Sequence, residues 1–244
     1  TFWRAATDND RGAGYGFERG FWLVAGQYAA VVNTEVSVAS EGEPQAAVTY
    51  TYRPAGIPEG EIRLSYTVYP DGRIKVSQHW NGVRGLAGFP TFGWEMKTKG
   101  KLSAFTYYGN GPEENYIDRQ QGAFAGIYGS SAAANKTPYL VPQECGNRTG
   151  IRWLAITDER GRGLKVKSLS PQGFEGSVLK VSANELENAR HQEELFDGGY
   201  TRIRILAKQM GVGGDDTWGA PVHDEYLLDA SEELAFSFVM EKVS

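Results

Sequence analysis

The sequence predicts an all-β fold of antiparallel strands, a sandwich or a barrel, and three observations predict it. Apolar and polar residues alternate with a period of two through most of the chain. Turn signals interrupt that alternation about every ten residues. Helical periodicity is confined to short pieces. In chain order, Gly16–Ala25 carries a weak helical pattern. Val48, Tyr50 and Tyr52 share one face of a strand. Ile62, Leu64, Tyr66 and Val68 form the next, and the PDG turn at Pro70–Gly72 sends Ile74 and Val76 back as a hairpin. A second hairpin spans Ile151–Leu169 and turns at Glu159–Gly163. Ser182 and Glu185 form a capping-box pair that opens the best helix candidate, Ser182–Leu195. Thr201–Gln209 and Glu233–Glu241 are further half-buried strands. No repeat, low-complexity tract or linker divides the chain, so residues 1–244 are expected to form one large β domain. The abrupt start TFWRAATDNDRG, with no initiator Met and no signal pattern, reads as a piece of something longer.

Composition narrows the function classes. At 244 residues the chain can bury a substantial core. Net charge is −5, with Lys and Arg spread along the sequence, so nothing concentrates the positive charge that nucleic-acid binding needs. No run approaches the roughly 18 apolar residues of a membrane span. The single Cys145 excludes an intrachain disulfide and a multi-cysteine metal site. Six Trp, 13 Tyr and 11 Phe suit a β-rich core, with some rings left over as sugar-stacking platforms.

The stretch MGVGGDDTWG at Met210–Gly219 is the densest local signal. As a phosphate loop it lacks both a following helix and GK[ST], and its two acids would repel an anion. Asp215 and Asp216 are neighbours whose side chains diverge in extended backbone, so they cannot flank one glycosidic bond as a hydrolytic pair does. As hard-cation ligands they lack a further acid at loop spacing. The favoured reading is that they bond loop N–H groups and shape the turn. Trp218 either plugs the core or offers its face to a sugar ring, and the flanking glycines favour the second.

Other dense segments are Phe2–Asp10, Tyr107–Arg119 and Thr137–Trp153. Glu114, Asn115, Asp118, Arg119, Gln143, Glu144, Asn147 and Arg148 are expected to form a buried or half-buried polar network, either structural or sugar-lining. His79, His191 and His223 lack metal-ligand spacing. His191, on the expected helix, and His223 are candidate acid–base groups. Asn135 and Asn147 head formal glycosylation sequons.

FWRAATDND, YYGNGPEENYIDR, TPYLVPQECGNRTGIRW, the His191–Leu195 segment and QMGVGGDDTWG follow one another as in the C-terminal domain, or separate small chain, of large multidomain β-galactosidases of glycoside hydrolase family 2. The chain resembles that domain along nearly its whole length, departing mildly at Ala6, where Pro is usual, and at Thr217, where Ser is usual. The resemblance implies a large antiparallel β-supersandwich, galactose-mutarotase-like, with short helices only. It implies that the catalytic glutamates and the magnesium and sodium ligands lie in a TIM-barrel domain elsewhere in the same enzyme, and that Trp218 lines the substrate site for a β-galactoside. Less direct candidates for substrate binding are Asp215, Asp216, His223, Glu114, Asn115, Arg119, Glu144, Asn147 and Arg148. No catalytic or metal-binding residue is assigned to this chain, and no nucleic acid or membrane is expected as a partner. The parent is expected to be a homo-oligomer of the bacterial cytoplasm, with the periplasm or secretion as alternatives. The competing readings are a stand-alone aldose-1-epimerase-like enzyme, using Glu114 or Glu144 with His191 or His223, and a carbohydrate-binding module.

Overall fold

The computed structural model describes residues 1–38, 46–216 and 218–243; Thr217 lies outside them. Three short helices come first: α1 (Asp8–Gly12), α2 (Tyr15–Arg19) and α3 (Phe21–Gln27). Strands follow as β1 (Ala30–Val38), β2 (Ala46–Arg53), β3 (Ile62–Val68), β4 (Ile74–Trp80), β5 (Thr91–Lys99), β6 (Ala104–Gly111) and β7 (Phe124–Ser131). After them come β8 (Arg148–Ile151), β9 (Trp153–Thr157), β10 (Gly163–Ser168) and β11 (Phe174–Leu179), then α4 (Ala183–Asn188), β12 (Tyr200–Gln209) and β13 (Leu234–Val243). Among the described residues the strands pair into a nine-stranded sheet, β1-β2-β3-β4-β13-β10-β9-β6-β7, and a four-stranded sheet, β5-β12-β11-β8. Every pairing is antiparallel. Both expected hairpins are present: Val68 faces Ile74 across the PDG turn, and Thr157 faces Gly163 across a turn that the Asp158 carboxylate holds by accepting from the Arg160 and Arg162 N–H groups.

One face of each sheet is apolar. Val76, Phe105, Leu154, Ile156 and Val166 of the larger sheet meet Val178, Ile203 and Ile205 of the smaller. A second cluster is built of rings. Trp22 stands edge-on to Trp80 at 6.0 Å and packs on Phe89 at 4.1 Å, so the N-terminal helices are fastened to β4 through aromatic contacts. The opposite face of the smaller sheet is also buried but polar, carrying Glu175, Ser177 and Arg204. On this face of β12, Arg204 is buried, bonded to Glu144 and the Trp3 carbonyl, while Arg202 stays partly exposed.

The helices are shorter than the sequence suggests. The Ser182 cap forms as expected, its hydroxyl accepting from Glu185 N–H. The helix then ends at Asn188 rather than Leu195. Beyond it the Glu194 carboxylate accepts from Arg190 N–H at 3.1 Å and contacts the His191 ring at 2.9 Å. These local bonds compete with helix formation, and they take His191 off the helix into an exposed bend. Gly16–Ala25 is likewise two helices, α2 and α3, meeting at Gly20. No helix among the described residues is long and apolar enough to cross a membrane.

Candidate functional site

The Gly-rich stretch leaves β12 at Gln209 and runs across the surface above α1. Trp218 is 79% exposed, which rules out its plugging the core. The loop beneath it is held at successive points. Arg4, fully buried, donates to the carbonyls of Met210 at 2.6 Å and Gly211 at 2.7 Å, and is itself fixed by Asp10 at 3.0 Å. Asp118 Oδ2 accepts from the N–H groups of Val212 and Gly213, each at 2.8 Å. Asp216 Oδ1 accepts from the N–H groups of Trp218, Gly219 and Ala220, each at 2.9 Å. Backbone donors of this kind favour the carboxylate, and those of Ala220 and Trp218 hold the Asp216 carboxyl below its ordinary range.

Asp215 diverges from Asp216 and bonds the His223 ring at 2.8 Å; that bond holds the His223 imidazole above its ordinary range. Of the two aspartates, then, Asp216 shapes the turn and Asp215 ties it to the segment beyond.

Helix α1 explains the N-terminal motif. Thr7 and Asp10 cap it reciprocally, a capping box in which Asp replaces the usual Glu. Asn9, with its amide in the orientation that satisfies both partners, donates to the Asp216 carbonyl at 2.9 Å and accepts from Gly214 N–H at 3.1 Å. Gly12 lies so close to the loop that a Cβ there would sit 2.6 Å from the Trp218 carbonyl oxygen. FWRAATDND and GGDDTWG are thus two halves of one bracket for Trp218.

The expected polar network forms, and most of it is spent on itself. Glu114 accepts from Gly146 N–H at 2.6 Å, Thr137 Oγ1 at 2.8 Å, Arg119 at 2.7 Å and the Tyr139 hydroxyl. Burial pushes its carboxyl up, but the Gly146 N–H, with Tyr139, Thr137 and Arg119, outweighs it and leaves the group below its ordinary range. Asn115 donates to the Asn110 and Glu113 carbonyls and accepts twice from Thr149. Glu144, with no side-chain exposure, takes both its oxygens to Arg204 at 3.0 and 2.9 Å. Arg148 donates to Tyr107 and to the Pro112 and Asn147 carbonyls. Asn147 bridges the Asn115 carbonyl and Glu175 at 3.1 Å. Glu175 is sealed in, and burial pushes its carboxyl up to about 7 against the donors Asn147 and Gln209 N–H. Burial and the neighbouring Glu144 push the Cys145 thiol up to about 12, so it is no ready nucleophile. Asn135 is also buried, donating to the Gly146 and Val178 carbonyls, so both sequon asparagines face inward.

What stays open is a cleft of about 360 Å³ beside the Trp218 loop, lined among others by Asp8, Asn9, Arg119, Tyr139, Gln143 and Asp216. Arg119 is half exposed there. Gln143 spans one wall, accepting from Asp8 N–H and donating to its carboxylate. Of the sequence candidates, the cleft and loop bring together Asp215, Asp216, Trp218, His223, Arg119 and Glu144. They leave Asn115, Asn147 and Arg148 behind them as scaffold. Among the described residues no group of three or more His, Cys, Asp or Glu side chains converges as a metal site. Sequence reasoning missed Arg4, Asn9, Asp10, Glu175 and Arg204. The first three stand inside the N-terminal motif; the last two carried no signal, because strand alternation cannot say which sheet face a loop will cover.

A family model described as the β-galactosidase small chain matches residues 1–240. The chain belongs to that family. This small chain is 34% identical over 265 residues to the β-galactosidase small subunit of Latilactobacillus sakei, a match covering 98% of the former and 82% of the latter. It is 44% identical over 244 residues to a β-galactosidase of Streptococcus thermophilus, covering 100% of the small chain but 23% of that relative. A β-galactosidase of Halalkalibacterium halodurans is 39% identical and is covered to 24%. The small chain thus spans about a quarter of the long curated relatives. Among solved structures, a galactose mutarotase-like protein from Lactobacillus casei matches at 12% identity with a TM-score of 0.44, covering 86% of this chain and 73% of that one.

Proposed function

We propose that this small chain completes the substrate pocket of a retaining β-galactosidase, presenting Trp218 to the sugar and leaving the bond-breaking carboxylates to a TIM-barrel domain or subunit. The observation that carries this reading is the pairing of an exposed indole with a loop braced from beneath by Arg4, Asn9, Asp118 and Asp216. A large ring held out on a rigid support gives contact area at little entropic cost. Retaining hydrolysis needs two carboxyl groups about 5–5.5 Å apart, one as acid and one as nucleophile. The acids around this cleft have other tasks: Asp215 is bonded to His223, Asp216 to three N–H groups, and Glu114 and Glu144 to internal donors. The substrate is a terminal β-D-galactoside such as lactose, and the magnesium and sodium ligands belong to the catalytic part.

The aldose-epimerase reading gains no support, because its candidate histidines bond Glu194 and Asp215 rather than either candidate glutamate. The chain alone is therefore expected to leave a chromogenic β-galactoside intact even at high protein concentration. Turnover that survives repurification and co-elutes with the chain would overturn the division of labour.

A further inference from the structure

Gln209 is the last residue of β12 and the root of the Trp218 loop, since Met210 and Gly211, held by Arg4, follow it directly. It is wholly buried and stands between two buried carboxyls. Its side-chain Nε2 donates to Glu144 at 3.3 Å, while its backbone N–H serves the Glu175 carboxyl on β11. Asn147 reaches the same carboxyl with Nδ2 at 3.1 Å and gives its other amide proton to the Asn115 carbonyl. Two oxygens are left over: Gln209 Oε1 and Asn147 Oδ1 are sealed from solvent and accept from no described residue. Turning either amide round gains nothing. Asn147 would then set its oxygen against the Asn115 carbonyl, and Gln209 would set its own against the Glu144 carboxylate.

Unpaired acceptors are costly in a buried site, and the surrounding groups decide what can serve them. Arg204, on the same face of β12, is committed to Glu144. Arg4, from the N-terminal segment, is committed to Asp10 and the two loop carbonyls. Glu95 on β5 pairs with Arg202, and Lys208 is exposed. Burial holds the Tyr116 hydroxyl and the Cys145 thiol neutral, and the Tyr116 hydroxyl finds no partner of its own. Only Glu175 is bonded to both amide residues, and as the neutral acid it has a proton to offer. Burial favours that form, pushing the carboxyl up to about 7 against Asn147, the Gln209 N–H, Lys208 and Arg4.

We propose that Glu175 is a positioning residue for the Trp218 loop: as the neutral acid it closes the hydrogen-bond set at the root of the loop, and on ionising it loosens that root. The anion has no proton for either amide oxygen and adds a second buried charge on the far side of Gln209 from Glu144. Hydration relieves that charge, and the sealed site admits it only if the Gln209 end of β12 gives way. The sign follows. The loop is firm below the Glu175 titration and slackens as pH rises through it. The consequence for a β-galactoside rests on the reading of Trp218 as its platform: on a looser footing the ring keeps its area but loses preorganisation.

The test is a pH series from about 5.5 to about 9 on the full chain labelled with ¹⁵N, as wild type and as Glu175→Gln. An amide at this position mimics the neutral acid, with an oxygen for Asn147 and an N–H for an unpaired acceptor. In the wild type the N–H resonances of Gln209, Val212 and Gly213 are expected to titrate together at about 7. Above that pH they should exchange with solvent faster than the base-catalysed rise seen in Glu175→Gln. In Glu175→Gln the three resonances should keep their low-pH positions throughout. His223 bonds Asp215 in the same loop; its own step should survive Glu175→Gln and disappear in His223→Gln. The proposal is overturned if the three resonances follow the same pH course in wild type and Glu175→Gln, or if Gln209 alone moves. In the parent enzyme, the ratio of wild-type to Glu175→Gln KM should climb about tenfold over the same range. Loop resonances that follow Glu175 beside a flat KM ratio would support the positioning role and count against Trp218 as a sugar contact, so the two readings fail separately.

Discussion

Trp218 and Trp80 show how little residue type says by itself. Trp218 is 79% exposed and Trp80 wholly buried, its Nε1 donating to the Ala230 carbonyl at 2.8 Å. Truncating Trp218 in the parent enzyme should therefore remove binding rather than stability. Lost stacking and apolar contact amount to about 2–3 kcal/mol, a rise in KM of roughly tens to a hundredfold, with the melting temperature unmoved. Trp218→Phe keeps a ring but loses area and the indole donor, and should fall between. Melting and Michaelis parameters from one preparation separate the cases, and a large drop in melting temperature with KM unchanged would contradict the platform role. The exposure of Trp218 was legible because glycines and turn-forming acids flank it in sequence. The bracket under it was not, since Arg4 meets Met210 and Gly211 across 206 and 207 positions.

At the scale of elements, β11 carries an expense that pH can expose. All six of its residues are buried, Glu175 among them. Its carboxyl is pushed from 4.5 to about 7 by burial, so the folded protein holds that proton more tightly than the unfolded chain does. The resulting stabilisation is full below about pH 4.5 and is lost as pH rises through about 7, a change of roughly 3 kcal/mol. Glu175→Gln keeps an oxygen for Asn147 and removes the ionisation. It should be more stable than the wild type at pH 8, with the difference closing as pH falls toward 4.5. Urea midpoints across that range test this, and parallel pH profiles for the two proteins would refute it. Strand periodicity made β3, β4, β9, β10, β12 and β13 readable in advance. Helix α1 was hidden because its cap uses Asp10 where the usual pattern has Glu or Gln, and α4 was overlong because Glu194 makes turn bonds that periodicity does not register.

Across the whole molecule, sheet order follows the chain only in part. β13 inserts between β4 and β10, and β5 joins β12; local sequence encodes neither choice, which follows from which apolar faces meet. The ring cluster of Trp22, Trp80 and Phe89 binds the N-terminal helices into this arrangement. Trp80→Ala should cost about 3–5 kcal/mol and lower the midpoint of the entire cooperative transition, in contrast to Trp218→Ala. Calorimetry on both variants decides it; a Trp80→Ala protein melting with the wild type would mean that the cluster is not part of the cooperative core.

The bracket around the tryptophan loop also has a consequence for synthesis. Arg4 is made 206 positions before the first of the carbonyls it holds, and the groups that Arg4 and Asn9 hold do not exist until the ribosome has reached residue 210 and beyond. Until then a guanidinium destined for burial has only Asp10 from this set, and Asn9 lacks both of its loop partners. Contacts this distant in sequence are slow to close, so the loop that carries Trp218 cannot be set before the stretch beyond residue 210 has been translated.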